Sequence, residues 1–191
     1  MVTQTQTPPD GVSTIGAVAV FFGFPEGSEQ NAAMEETEIG GLVPVVDYLT
    51  DSGFEVVTKR RAVAQDFIDW VGGRRNLSEV DPVAVIWSAH GSNDGSLQTA
   101  DGEPLRPTDL ARVTVADTLR FALFSSCHTG VHAARWHEAL DGRPTIVGWD
   151  GLARFSDVVE FYAEGDSQGQ QLQRIFRTYL LNPALDNVAA A

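Results

Sequence analysis

Five short stretches of this chain are rich in alanine, β-branched and aromatic residues and lack a strict polar alternation. They are IGAVAVFFGF (15–24), FEVVT (54–58), PVAVIWSAHG (82–91), LRFALFSS (119–126) and PTIVGWDG (144–151). Such runs, bounded by Gly, Pro and Asp, predict strands buried on both faces. Between them lie tracts with apolar residues at three- and four-residue steps, which predict helices with one buried face. Ile39, Leu42, Val43, Val46 and Leu49 mark such a face over 32–52, although Gly40, Gly41 and Pro44 weaken its middle. Ala64, Phe67, Ile68 and Val71 mark a second over 63–73. TDLARV (108–113) predicts a short helix, GVHAARWHEAL (130–140) a third main helix, and 158–181 a last tract divided around EGDSQG. Alternation of this kind implies an α/β fold, a three-layer sandwich with a mostly parallel central sheet and helices on both sides. The polar opening MVTQTQTPPDGVST reads as a mobile arm over 1–14, followed by one domain over 15–182 and a tail over 183–191.

Composition narrows the class. The chain has 191 residues, 43% of them hydrophobic and 20% charged, as expected of a globular domain able to bury most of its apolar surface. A formal net charge of −13 weighs against nucleic-acid binding, which depends on Lys and Arg displacing counterions from phosphates. No apolar stretch reaches the roughly 20 residues that span a bilayer. The opening has no basic residue ahead of its first apolar run, so a secretory leader and a membrane partner are not expected and a cytoplasmic location is. The single cysteine, Cys127, excludes an internal disulfide.

The chemistry concentrates in two turns. PVAVIWSAHG ends in His90 and Gly91, and LRFALFSS runs directly into Cys127, His128, Thr129 and Gly130. In parallel sheets chemistry collects at the carboxyl ends of strands. If the two strands are neighbours, His90 and Cys127 emerge at one edge. A thiol needs a base to become a thiolate, and a histidine supplies one. The amides of Gly91 and Cys127 would face a developing oxyanion, the latter at the start of the following helix, with Thr129 and Gly130 in its first turn. The alternative is that Cys127 is a small buried residue packed at a strand end, as cysteines often are. His128 and His132, four apart, have the spacing of a metal pair, but no third ligand accompanies them except Cys127. Asp94 and Asp101 are either cleft-lining acids or ordinary turn residues.

Several motifs in order give a resemblance. DSGFEVVT, WSAHGSNDGSLQTADGEPLRPTDL and FSSCHTG resemble the second strand, the catalytic SHG turn and the DSCHSG-type turn of caspase-like cysteine peptidases. That group contains the caspases, metacaspases and separase-like CHAT domains. The resemblance implies a cysteine endopeptidase with Cys127 and His90 as its dyad and the Gly91 and Cys127 amides as its oxyanion hole. It implies a protein or peptide substrate, no cofactor and no metal for the chemistry. An activating partner protein or calcium is known among such relatives, and small bacterial members act in defence or cell death.

The departures concern specificity. Ser125 stands where caspases carry glutamine and metacaspases aspartate, and the loop after the first strand has no arginine to receive an acidic side chain. GWDG (148–151) resembles a WD segment of separase-like proteases, making Asp150 the candidate acid for a basic substrate residue. Asp150 reads equally well as an exposed turn residue. Two other functions compete. One is a caspase-like interaction or regulatory module with weak or no peptidase activity, against which the intact dyad argues. The other is a flavodoxin-like small-molecule binder, against which the acidic, non-glycine-rich loop GFPEGSEQN argues.

Overall fold

The computed structural model describes residues 3–152 and, beyond them, Phe176, Thr178 and Leu180. In chain order the elements are β1 (Thr3–Gln6), β2 (Gly16–Phe22), α1 (Glu29–Asp51), β3 (Phe54–Arg60), α2 (Ala64–Val71) and β4 (Pro82–Ser88). There follow the short strands β5 (Leu97–Gln98) and β6 (Pro104–Leu105), a 3-10 turn over Pro107–Leu110, β7 (Phe121–Ser125), α3 (Ala133–Ala139) and β8 (Thr145–Gly148). Six strands form one sheet in the order β1-β3-β2-β4-β7-β8. All its pairings are parallel except that of β1 with β3. The chain is thus α/β with a mostly parallel sheet, as its hydrophobic pattern predicts.

The central strands are apolar throughout because both of their faces are covered. On one face Ala17, Ala19, Phe21, Val85, Trp87, Ala122 and Phe124 pack with Phe67, Trp70 and Val71 of α2 and Trp136 of α3. On the other, Val18, Val20, Phe22, Val56, Ile86 and Leu123 pack with Leu42, Val45, Val46 and Leu49 of α1. Phe67 is the hub of the first face, with ring centroids 5.8 Å from Trp87, 6.1 Å from Phe124 and 6.0 Å from Trp136. The Trp70 indole N–H donates to the Ala84 carbonyl at 2.9 Å, so this large side chain is buried without an orphaned donor.

Four local expectations change. The polar arm is not wholly unstructured, since Thr3–Gln6 adds an antiparallel edge strand to β3, an exposed position where TQTQ needs no apolar face. Helix α1 runs unbroken through Pro44. The proline removes the amide that would bond to the Gly40 carbonyl, but Gly40 is exposed and that carbonyl can bond to water. Its buried stripe is Leu42, Val45, Val46 and Leu49, while Val43 is 49% exposed. The tract 108–113 yields only the 3-10 turn, and α3 starts at Ala133 instead of Gly130. The divided tract at 158–181 and the tail lie outside the described residues, save for the three named above; of these Phe176 is buried against Phe121 at 5.1 Å.

Among the described residues, no helix is long and apolar enough to cross a membrane. Phe67→Ala should lower unfolding free energy by about 3–5 kcal/mol. Urea denaturation checks this: the midpoint should drop with an unchanged slope.

Candidate active site

β4 and β7 are adjacent, parallel and paired in register from Ala84↔Phe121 to Ser88↔Ser125. Both strands end at that last pair. Each chain then runs two residues further to its reactive side chain, His90 after β4 and Cys127 after β7. The sheet order also changes direction here: β3 lies on one side of β2 and β4 on the other. The site therefore adjoins the switch point, where the connection leaving β2 crosses the carboxyl edge and parallel sheets open a crevice.

The two reactive turns are in close backbone contact. Ala89 N–H donates to the Ser125 carbonyl at 3.3 Å. A Cβ on Gly91 would overlap the Cys127 carbonyl oxygen and stand 2.8 Å from the Cys127 nitrogen, so only glycine permits this approach. Gly91 bridges Leu97 in a small hairpin whose flanking bonds are Gln98 N–H to the His90 carbonyl, 2.9 Å, and Ser92 N–H to the Ser96 carbonyl, 3.0 Å. That pattern turns the Gly91 N–H away from Leu97. Further on, the hairpin loop is tied to α3. Trp136 Nε1 donates to the Gly95 carbonyl at 3.0 Å, His132 Nε2 to that of Asn93 at 2.9 Å and Arg135 Nη1 to that of Asp94 at 2.9 Å.

Beyond Cys127 the chain makes turns from 126 to 132, not a helix. This corrects the expectation that Cys127 opens a helix with Thr129 and Gly130 in its first turn. Seven-residue α3, six positions on, supplies no helix-terminal field at the thiol. The turn is fixed in other ways. His128 adopts φ 61°, a left-handed conformation few side chains tolerate. Its N–H donates to the Gly151 carbonyl at 2.7 Å, and Gly130 N–H donates to that of Trp149 at 2.9 Å. The buried Thr129 hydroxyl lies 2.7 Å from the Ser126 carbonyl and 3.1 Å from that of Phe124.

Cys127 and His90 are both half-buried. Burial lowers the His90 pKa by desolvation, which favours the neutral imidazole able to accept a thiol proton. The ring stands edge-on to Phe24, centroids 5.5 Å apart, and Nε2 lies 3.0 Å from Oδ1 of Asn31 in the first turn of α1. Asn31 was invisible as a site residue in the sequence, where it falls in the loop GFPEGSEQN ahead of the helix over 32–52. The same is true of Phe24.

Asp150, exposed at the end of β8, faces the Cys127 turn: a Cβ on Gly130 would stand 2.5 Å from its Oδ1. The structure thus brings the turn of His90 and Gly91 against the backbone of Cys127, and Asp150 against Gly130 of the Cys127 turn. Ser125 differs, being buried with its hydroxyl toward Glu38 of α1 at 3.5 Å, the outer limit of a hydrogen bond. Glu38 had a sequence signal, since Glu35 and Glu38 continue the Leu42–Leu49 stripe by three- and four-residue steps and so fall on the buried face. Ser88 and Ser126 hydroxyls, at the same edge, are buried with no hydrogen-bond partner among the described residues. Asp94 acts as a turn residue: the Ser96 hydroxyl and N–H, at 2.7 and 3.0 Å, hold its carboxyl below the ordinary carboxylate range. Asp101 accepts from Thr99 in the next turn. Among the described residues no group of three or more His, Cys, Asp or Glu side chains is arranged to hold a metal, and His132 is engaged with Asn93.

No protein-family model matches the chain, and no characterised protein matches it in sequence. The crystal structure of an esterase domain from a Rhodothermus marinus protein is similar over 92% of this chain and 91% of its own, at 12% identity and a TM-score of 0.41. A likeness that low carries no argument about fold or activity.

Two outcomes follow from the geometry. Gly91→Ala should displace the Cys127 turn and destabilise by about 1–3 kcal/mol; urea unfolding and the rate of iodoacetamide labelling of Cys127 check both effects. Because the folded pKa of His90 lies below its unfolded value of about 6.5, protonation favours the unfolded chain. The contribution of His90 to stability is therefore whole above that pH and lost as pH falls through it toward the folded value. The stability difference between wild type and His90→Gln, followed by urea midpoints against pH, should show that loss.

Proposed function

We propose that this chain is a cysteine endopeptidase of caspase-like fold, with Cys127 as nucleophile and His90 as general base and acid. The observation that carries the reading is the register of β4 and β7, with His90 and Cys127 each two residues beyond the carboxyl end of its strand. Helices on both faces of the parallel sheet support the three-layer sandwich that goes with it.

The steps follow from the side chains. Neutral His90 takes the Cys127 proton, and the thiolate sulfur attacks the peptide carbonyl carbon. The oxyanion is met by the Gly91 and Cys127 amides, in a turn whose close backbone contact fixes both. Collapse of the tetrahedral intermediate breaks the C–N bond while imidazolium returns its proton to the amine. Water, deprotonated by the same imidazole, then hydrolyses the thioester and releases the acid and Cys127. With no helix start beneath the thiol, activation rests on the imidazole. Asp150 beside the Cys127 turn supplies the negative charge for a substrate Lys or Arg, and Ser125 shapes the site from below the surface through its contact with α1.

A fluorogenic peptide library varied at the residue before the cut should be cleaved after Arg or Lys by the wild type, and not by Cys127→Ala. Asp150→Ala should lower kcat/KM for arginyl peptides at least about tenfold, the loss expected when the carboxylate that meets the substrate cation is removed. Unchanged arginyl cleavage would remove Asp150 from the pocket. No cleavage of any peptide by the wild type, at matched folding, would favour a caspase-like interaction module instead.

A further inference from the structure

The side chain of Asn31 is fixed at both ends, and this decides which nitrogen of His90 carries a proton. Asn31 Nδ2 donates to the Pro25 carbonyl at 3.1 Å, and Oδ1 lies 3.0 Å from His90 Nε2. A carbonyl oxygen only accepts, so the amide NH2 must face Pro25. Oδ1, which also only accepts, is then left for the imidazole, and Nε2 must be the donor. In the neutral ring the lone pair therefore sits on Nδ1.

From this geometry we infer that Asn31 is the positioning residue of the dyad, holding His90 in its Nε2–H tautomer so that Nδ1 is the nitrogen that takes and returns the proton. The inference rests on the peptidase reading for its catalytic consequence, but the tautomer itself does not. The backbone around Asn31 is suited to the task. Its N–H is capped by the Ser28 hydroxyl at 3.3 Å in the first turn of α1, which holds the side chain at the mouth of the loop leaving β2. Phe24 closes the ring's flank, 5.5 Å between centroids, limiting rotation about χ2. A side-chain amide orients the imidazole without placing a charge beside it, and so leaves it neutral. A carboxylate there would stabilise the imidazolium instead.

The test uses full-length protein labelled with 15N-histidine. At a pH above the imidazole pKa, wild-type His90 should show Nε2 as pyrrole-type nitrogen and Nδ1 as pyridine-type. Asn31→Ala keeps the backbone N–H that Ser28 caps and should give averaged shifts from both tautomers. On a cleaved peptide, its kcat should fall at least about tenfold with KM little changed, the pattern of a lost proton-transfer geometry. Asn31→Asp keeps an acceptor and should restore the Nε2–H signature once the pH is high enough to leave the imidazole neutral beside a carboxylate. The assignment is overturned if wild-type His90 is the Nδ1–H tautomer, or if Asn31→Ala leaves both shifts and kcat unchanged. The wild-type spectrum decides the tautomer even if a variant misfolds. If the tautomer behaves as stated but no peptide is cleaved, the peptidase reading falls and the positioning assignment stands.

Discussion

The parallel pairing of β4 with β7 is the constraint on which the rest of the site depends. Five residue pairs, Ala84↔Phe121 to Ser88↔Ser125, hold the two strands in register. In a pleated strand a slip of one residue would send every side chain to the other face. Here it would drive Trp87 and Phe124 out of the cluster around Phe67, so core packing and site geometry specify the same register. The close contact of Gly91 with the Cys127 backbone then transmits that register beyond the strands, and the ties from the 93–95 loop to α3 repeat it further out. A thiol and an imidazole from turns 37 positions apart in sequence are in this way held by the same interactions that stabilise the domain.

The site also adjoins a place, among the described strands, where the order of the sheet changes direction. Because β2 is flanked by β3 and β4, the connection leaving β2 must pass over the carboxyl edge to reach α1. It delivers Phe24 and Asn31 to His90, one by ring packing and one by hydrogen bonding. Burial by these neighbours lowers the basicity of the imidazole. A neutral base suits a mechanism in which the thiol is deprotonated during attack, and it offsets the lack of a helix start beneath Cys127.

Much of this was legible in the sequence because a buried parallel strand writes itself as an unbroken apolar run. The strands, the α/β class and the placement of His90 and Cys127 at strand ends follow from that alone. β1 was not legible, since an exposed edge strand of Thr and Gln has no hydrophobic signature. The late start of α3 was hidden because GVHAARWHEAL has helical spacing throughout, while tertiary bonds from Gly151 and Trp149 hold 128–130 in turns. Asn31 could not be found from pattern, because its role comes from a contact 59 residues away in sequence. Ser125 was expected at the substrate-binding surface, but it is buried with its hydroxyl toward Glu38, one of two acids, with Glu35, on the buried face of α1.

The central claim is that His90 activates Cys127 within a site that binds peptide. The most direct measurement is mass spectrometry of native protein treated with an arginyl peptide chloromethyl ketone, in parallel with His90→Ala. The account predicts one adduct, on Cys127, formed much faster in the wild type than in His90→Ala and suppressed by unfolding. Equal labelling of both proteins, or none of the native wild type, would contradict it.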